Sequence, residues 1–225
     1  MSDQDDFWVF GYGSLMWRPG FAFEQASKAR LVGFRRAFCI YSTHHRGTEL
    51  RPGLVLGLDR GGTCQGVAYR VAGRHRHETI AYLRAREQIS GVYRETEVPL
   101  QLAHDRGPEV PAIAYVVERA HPSYAHRLPF LRQVGIIRGA KGLSGPNIEY
   151  LVNTAEHLRE LDIRDRNLER LASAMGGLFT SSYADAATLH RRSLAAATTR
   201  RDVVRTAPKL RPAERRRFGH RMLMR

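Results

Sequence analysis

Apolar and polar positions alternate over short stretches in the first half of the chain and recur at helical spacing in the second. Phe7-Trp8-Val9-Phe10 is a β-prone run closed by Gly11-Tyr12-Gly13-Ser14, which predicts a strand ending in a glycine turn. Leu31 to Tyr41 and Leu54 to Leu58 are the next strand candidates. Asp59-Arg60-Gly61-Gly62 reads as a turn, which makes Cys64 to Val71 the hairpin partner of Leu54 to Leu58. A helix is predicted over 76–89, then strands over Tyr93–Leu102 and Val110–Val117. Helices follow over 146–161, 165–175 and 183–197. The first of these carries Ile148, Leu151, Val152, Ala155, Leu158 and Leu161 as a core-facing stripe, with Pro146 near its first turn. Strands followed by helices, rather than alternating with them, predict an α+β fold.

Charge changes this picture only at the end. The formal net charge is +14, but residues 191–225 hold 12 Lys and Arg against Asp202 and Glu214, while the other residues are nearly balanced at 24 basic to 20 acidic. The basicity belongs to an Arg-rich segment from about 199 onward. Two cysteines, Cys39 and Cys64, cannot build a disulfide scaffold or a Cys-rich zinc site, and both lie in apolar runs that predict core thiols. The acidic start, Met1 to Asp6, is the reverse of a signal peptide's basic one, and no apolar run reaches the ~18 residues of a membrane span. The expectation is a cytoplasmic protein with no membrane partner.

Gly11-Tyr12-Gly13-Ser14 is followed by Leu15-Met16-Trp17, so it lacks the third glycine of a dinucleotide fingerprint and the Lys-Ser/Thr of a phosphate loop. Ser14 is also not the centre of a nucleophile elbow. A plain tight turn and a nest of backbone N–H groups for a carboxylate both stay open. On the 76–89 helix, Ile80, Leu83 and Glu87 are spaced i, i+3, i+7 and share a face, with Arg84, Arg86 and Gln88 expected to point elsewhere. Glu87 continues an apolar stripe near a helix C-terminus, where burial and the macrodipole both raise a carboxylate's pKa, as suits a general base. An exposed helix-end glutamate is the alternative. Tyr93 offers a phenol if it points inward, while Glu95 and Glu97 read as a solvated edge beside Arg94. The ten histidines show no metal-ligand spacing.

Several segments together resemble one family. Trp8-Val9-Phe10-Gly11-Tyr12-Gly13-Ser14-Leu15-Met16-Trp17 is similar to the opening of the ChaC-type, glutathione-specific γ-glutamylcyclotransferases. Arg51 to Leu58, Gly66 to Val71, Arg86-Glu87 with Gly91 and Tyr93-Arg94, and Gly145-Pro146-Asn147-Ile148-Glu149-Tyr150-Leu151 follow in the family's order. The resemblance spans roughly residues 8 to 170. It implies a cyclotransferase-type β-barrel flanked by helices; with the change of composition at about 199, the expected division is a domain of residues 1–198 and a basic extension of 199–225, which lies outside the resemblance. It also implies cleavage of glutathione to 5-oxoproline and cysteinylglycine without cofactor or metal. The family's substrate-binding segment falls on Val9, Phe10, Gly11, Tyr12, Gly13 and Ser14, with Leu15 adjoining; Tyr93 is a further binding candidate, and the catalytic glutamate falls on Glu87. One departure is Glu87-Gln88-Ile89-Ser90-Gly91-Val92-Tyr93, longer than the Glu-Lys-Gly-Gly-Tyr run of some relatives. Rival readings are a cyclotransferase for other γ-glutamyl compounds, a non-catalytic binding module on the same fold, and nucleic-acid binding through Arg211, Arg215, Arg216, Arg217, Arg221 and Arg225.

Overall fold

The computed structural model describes residues 5–88, 90–102 and 107–176. The helix predicted at 183–197 and the basic extension lie outside the described residues. Five strands form the main sheet: β1 (Phe7–Gly11), β2 (Gln25–Ser42), β3 (Gly53–Val71), β4 (Tyr93–Leu102) and β5 (Glu109–Val117). They close into a barrel in the order β1-β3-β2-β4-β5. β1 completes the ring by pairing antiparallel with β3 and parallel with β5. Around it stand α1 (Arg76–Glu87), α2 (Phe130–Gly139), α3 (Asn147–Glu160) and α4 (Arg166–Met175), with a two-stranded ribbon of β6 (Lys141–Gly142) and β7 (Gly145–Pro146). The class is α+β.

β1 is apolar on both faces because both are covered. Phe7 and Val9, two residues apart, pack with Leu15, Val71, Leu83 and Tyr115 in a cluster shared with α1. Phe10 points the other way, into the main core with Leu31, Leu54, Leu56, Leu58 and Leu100. This double burial fixes where β1 ends, and so fixes the turn that follows.

The hairpin expected between Leu54–Leu58 and Cys64–Val71 does not form. Both belong to the single long strand β3, whose partner throughout is β2. Asp59-Arg60-Gly61-Gly62 is a bulge: Val32 pairs with Thr63 but Phe34 pairs with Arg60, which leaves one extra residue on β3. Gly61 and Gly62 adopt φ of +93° and +82°, which glycine tolerates best. Asp59 is buried there and neutralised by Arg35 and Arg119, with the Tyr124 hydroxyl donating to it at 3.3 Å. A second bulge at Cys39 places the extra residue on β2 instead. Both cysteines are buried and free.

α3 is joined to the barrel through Asn147, which has no exposed surface. Its amide accepts from Leu54 N–H at 2.6 Å and donates to Leu54 C=O at 2.7 Å, acting as a stand-in for a neighbouring strand. An Asn147→Ala substitution strands both backbone groups in the core. A loss of about 2–4 kcal/mol is expected from two buried unsatisfied groups, read as a lowered urea midpoint. A loss below ~1 kcal/mol would show that the clamp is not structural.

Candidate active site

The chain leaves β1 at Gly11 and turns through a short 3-10 helix at Ser14–Met16. Met16 N–H donates to Gly13 C=O at 2.9 Å and Arg18 N–H to Ser14 C=O at 2.9 Å. The N–H groups of Tyr12, Gly13, Ser14 and Leu15 donate to no backbone carbonyl among the described residues. Four successive donors at a strand end are thus left without a backbone acceptor, as an anion-binding nest requires. Gly11 is favoured by packing, since a Cβ there would press on Leu15 and Met16 at 3.2–3.3 Å. Gly13 is not: its nearest neighbour for a Cβ would be Leu56 Cδ1 at 3.9 Å.

Glu87 is the last residue of α1. Leu83 is fully buried, Ile80 packs on the same cluster, and the Glu87 side chain keeps 16% of its surface exposed, so the predicted stripe is real. Burial pushes its carboxyl above the usual range, and the Arg86 guanidinium opposes that shift. Arg86 does not point away as expected. Its Nε lies 3.1 Å from Glu87 Oε1, and its Nη2 donates to Ser14 Oγ at 2.9 Å. Its Nη1 donates to Arg18 C=O at 2.6 Å and to the Tyr82 hydroxyl at 3.0 Å. One cation thus ties the glycine turn to the end of α1.

Three tyrosines complete the constellation. The Tyr12 hydroxyl donates to Tyr115 C=O at 3.0 Å, and the Tyr93 hydroxyl to Leu56 C=O at 2.7 Å. The Tyr150 hydroxyl accepts from Leu56 N–H at 3.4 Å, while the edge of Phe38 and the Arg46 guanidinium hold its ring. All three phenols are raised above their ordinary value, chiefly by burial; the Glu87 charge adds to the shift in each, and Tyr150 reaches about 12. Leu56 carries Tyr93 and Tyr150 on its backbone and neighbours Gly13, so the turn, both phenols and Glu87 occupy one end of the barrel.

The sequence-predicted residues divide accordingly. Tyr12, Gly13, Ser14, Tyr93 and Glu87 come together. Val9 and Phe10 are fully buried wall residues, Gly11 serves packing, and the Leu15 side chain sits in the β1–α1 cluster. The longer run after Glu87 is taken up by a turn in which Gly91 N–H donates to Gln88 C=O at 3.1 Å, with Gly91 at φ +69°, so Tyr93 still reaches the site. Glu95 is not a solvated edge: Arg84 grips it at 2.7 and 2.9 Å and the Tyr115 hydroxyl donates to it at 3.0 Å, which lowers its pKa. The sequence assigns neither Arg86 nor Tyr150 these roles, although both stand in segments that resemble the family; the local signal of Gly145–Leu151 is a helix start. Two surface cavities, of about 460 and 540 Å³, lie elsewhere, between α3 and α4 and between the barrel and α2 with α4. No group of three or more His, Cys, Asp or Glu side chains among the described residues is arranged to hold a metal ion.

Known proteins resemble this chain in sequence and in fold. The glutathione-specific γ-glutamylcyclotransferase of Escherichia coli (strain K12) is 36% identical over 183 residues, covering 81% of this chain and 78% of that protein. Glutathione-specific γ-glutamylcyclotransferase 1 of Mus musculus is 35% identical over 185 residues, covering 80% and 83% respectively. The crystal structure of a γ-glutamyl cyclotransferase specific to glutathione from yeast superposes with a TM-score of 0.69 at 23% identity, covering 77% of this chain and 96% of that one, which establishes the cyclotransferase fold. Residues 7–176 match the family described as ChaC-like protein, and with relatives this close over most of its length the chain belongs to that family.

Proposed function

We propose that the chain is a γ-glutamylcyclotransferase that cleaves glutathione to 5-oxoproline and cysteinylglycine, with Glu87 as the base. The observation that carries this reading is the Arg86 bridge, which sets a desolvated carboxylate beside a turn of unused N–H donors. The names of the relatives support the same substrate.

The γ-glutamyl group brings its own nucleophile. Its α-amine attacks its γ-carbonyl carbon, a five-membered lactam closes, and the bond to the cysteine nitrogen breaks. The α-ammonium gives up two protons in this sequence, and the departing nitrogen takes up two to leave as an ammonium. Glu87 relays them, first as base and then as acid. The N–H groups of the Tyr12–Leu15 turn hold the α-carboxylate and fold the chain so that amine and carbonyl meet. Tyr150 supplies the donor for the oxyanion. Its oxygen accepts from Leu56 N–H, which leaves its own proton to give, and a pKa of about 12 keeps that proton in place at neutral pH. Tyr93 is committed to Leu56 C=O and shapes the wall.

A cytoplasmic location and a catalytic domain of residues 1–198 belong to this proposal. Among the described residues no helix is long and apolar enough to cross a membrane, and the family match runs over 7–176. Nucleic-acid binding rests on the 199–225 extension, outside the described residues, and no described feature favours it.

Glu87→Gln should keep the fold and glutathione binding but lower turnover by at least ~100-fold in a 5-oxoproline assay. Near-normal turnover would remove Glu87 from the mechanism. The same variant carries a stability signature. A carboxyl whose folded pKa is raised favours folding below its unfolded pKa and loses that contribution as pH rises through the folded value. Ionised Glu87 therefore opposes folding at neutral pH, and Glu87→Gln should melt higher than the parent at pH 7.5, with the gain vanishing near pH 4. A lower melting temperature at pH 7.5 would mean that the carboxylate is stabilised rather than poised. Gly13→Val, which the fold has room for, should raise KM by ~10-fold or more by crowding the N–H nest, with the melting temperature little changed.

A further inference from the structure

Arg36 sits on β2 with only 2% of its side chain exposed. Its polar contacts run in several directions. Nε donates to Tyr12 C=O at 2.5 Å, Nη2 donates to Gln65 C=O at 2.6 Å and lies 3.8 Å from Met16 Sδ, and Nη1 pairs with Asp165 Oδ2 at 3.0 Å. Asp165 caps α4 by accepting from Asn167 and Leu168 N–H, both at 3.2 Å. A buried guanidinium is an expensive strut, because an apolar side chain of similar volume often holds a core together as well or better. What an apolar side chain cannot do is seize a carbonyl oxygen and fix the direction in which it points.

That direction matters at Tyr12. In a planar trans peptide the C=O of one residue and the N–H of the next point to opposite sides. With the Tyr12 oxygen drawn toward Arg36, the Gly13 N–H must face away from it. Gly13, without a side chain, has no preference that would hold this plane in place; the peptide is free to rotate unless its oxygen is tied. Arg86 secures the other end of the turn at Ser14 Oγ but touches no backbone atom of Tyr12 or Gly13. The only side-chain donor that reaches the Tyr12 carbonyl among the described residues is Arg36.

We propose that Arg36 is a positioning residue: by holding the Tyr12 carbonyl it sets the Tyr12–Gly13 peptide plane and aims the Gly13 N–H at the substrate's α-carboxylate. This rests on the reading that the turn binds that carboxylate. Arg36 meets no substrate atom; it acts through one peptide bond. Its ion pair with Asp165 ties it to the N-cap of α4, a contact that adds stability and does not set the peptide plane.

The test uses the full chain with Glu87→Gln, so that ligands persist. Dissociation constants are measured for glutathione and for γ-aminobutyryl-cysteinylglycine, which lacks only the α-carboxylate. With Arg36 intact, glutathione should bind ~10–100-fold more tightly, the range for a hydrogen-bonded charge. Arg36→Met should reduce that preference to below ~3-fold, almost wholly through weaker glutathione binding. Arg36→Lys, which keeps a charge against Asp165, should lose part of the preference and covers the case in which the Met variant does not fold. Asp165→Ser, which keeps a capping oxygen, should lower the melting temperature and leave the preference intact. Preference retained in the Met variant, or both ligands weakened equally, would overturn the role of Arg36. No preference even with Arg36 present would instead overturn the carboxylate-binding reading of the turn.

Discussion

The chemistry proposed for this end of the barrel depends on keeping the Glu87 carboxylate mostly out of water while leaving it free to take a proton. Burial at the end of α1 does the first, raising its affinity for a proton. Left alone, a carboxylate so placed would drift further toward its neutral form. Arg86 limits the drift from 3.1 Å, and spends its remaining N–H groups on Ser14, Tyr82 and the Arg18 carbonyl. The same guanidinium therefore tunes the proposed base and locates it against the turn. A lysine could supply the charge but not the planar fork that reaches four partners at once.

The fold exists to hold that geometry from several sides. β1 is short and doubly buried, so its end cannot slide. Leu56, on the neighbouring strand β3, fastens Tyr93 from β4 and Tyr150 from α3 to one residue. Asn147 fixes the start of α3 two residues along β3, which sets the depth of Tyr150. Arg36 underpins the turn from within and links it to α4. Each of these ties joins elements far apart in sequence, so the site is a property of the closed barrel and not of any one motif.

That distribution explains what could be read in advance. The strand at Phe7–Phe10, the glycine turn and the Ile80-Leu83-Glu87 face are local patterns, and local periodicity exposes them. β3 reads as two strands because the bulge at Gly61-Gly62 looks like a turn, and β2 reads as starting at Leu31 because Gln25–Arg30, though paired with β3, is mostly polar. α2 was missed: Gly135 and Gly139 dilute its helical signal, and Pro129 before it reads equally well as a loop. Arg86 was set aside because it is adjacent to Glu87 and off the apolar stripe; a long side chain can fold back where helical spacing says it should not. Arg36 and Tyr150 carried no local signal, since their partners lie 24 and 94 residues away.

The central claim is that the substrate's own amine, not water, is the nucleophile. Purified full-length protein incubated with glutathione should form 5-oxoproline and cysteinylglycine in equal amounts, with no free glutamate. Glutamate appearing in step with cysteinylglycine would mean hydrolysis and would contradict the account, as would the absence of any cleavage.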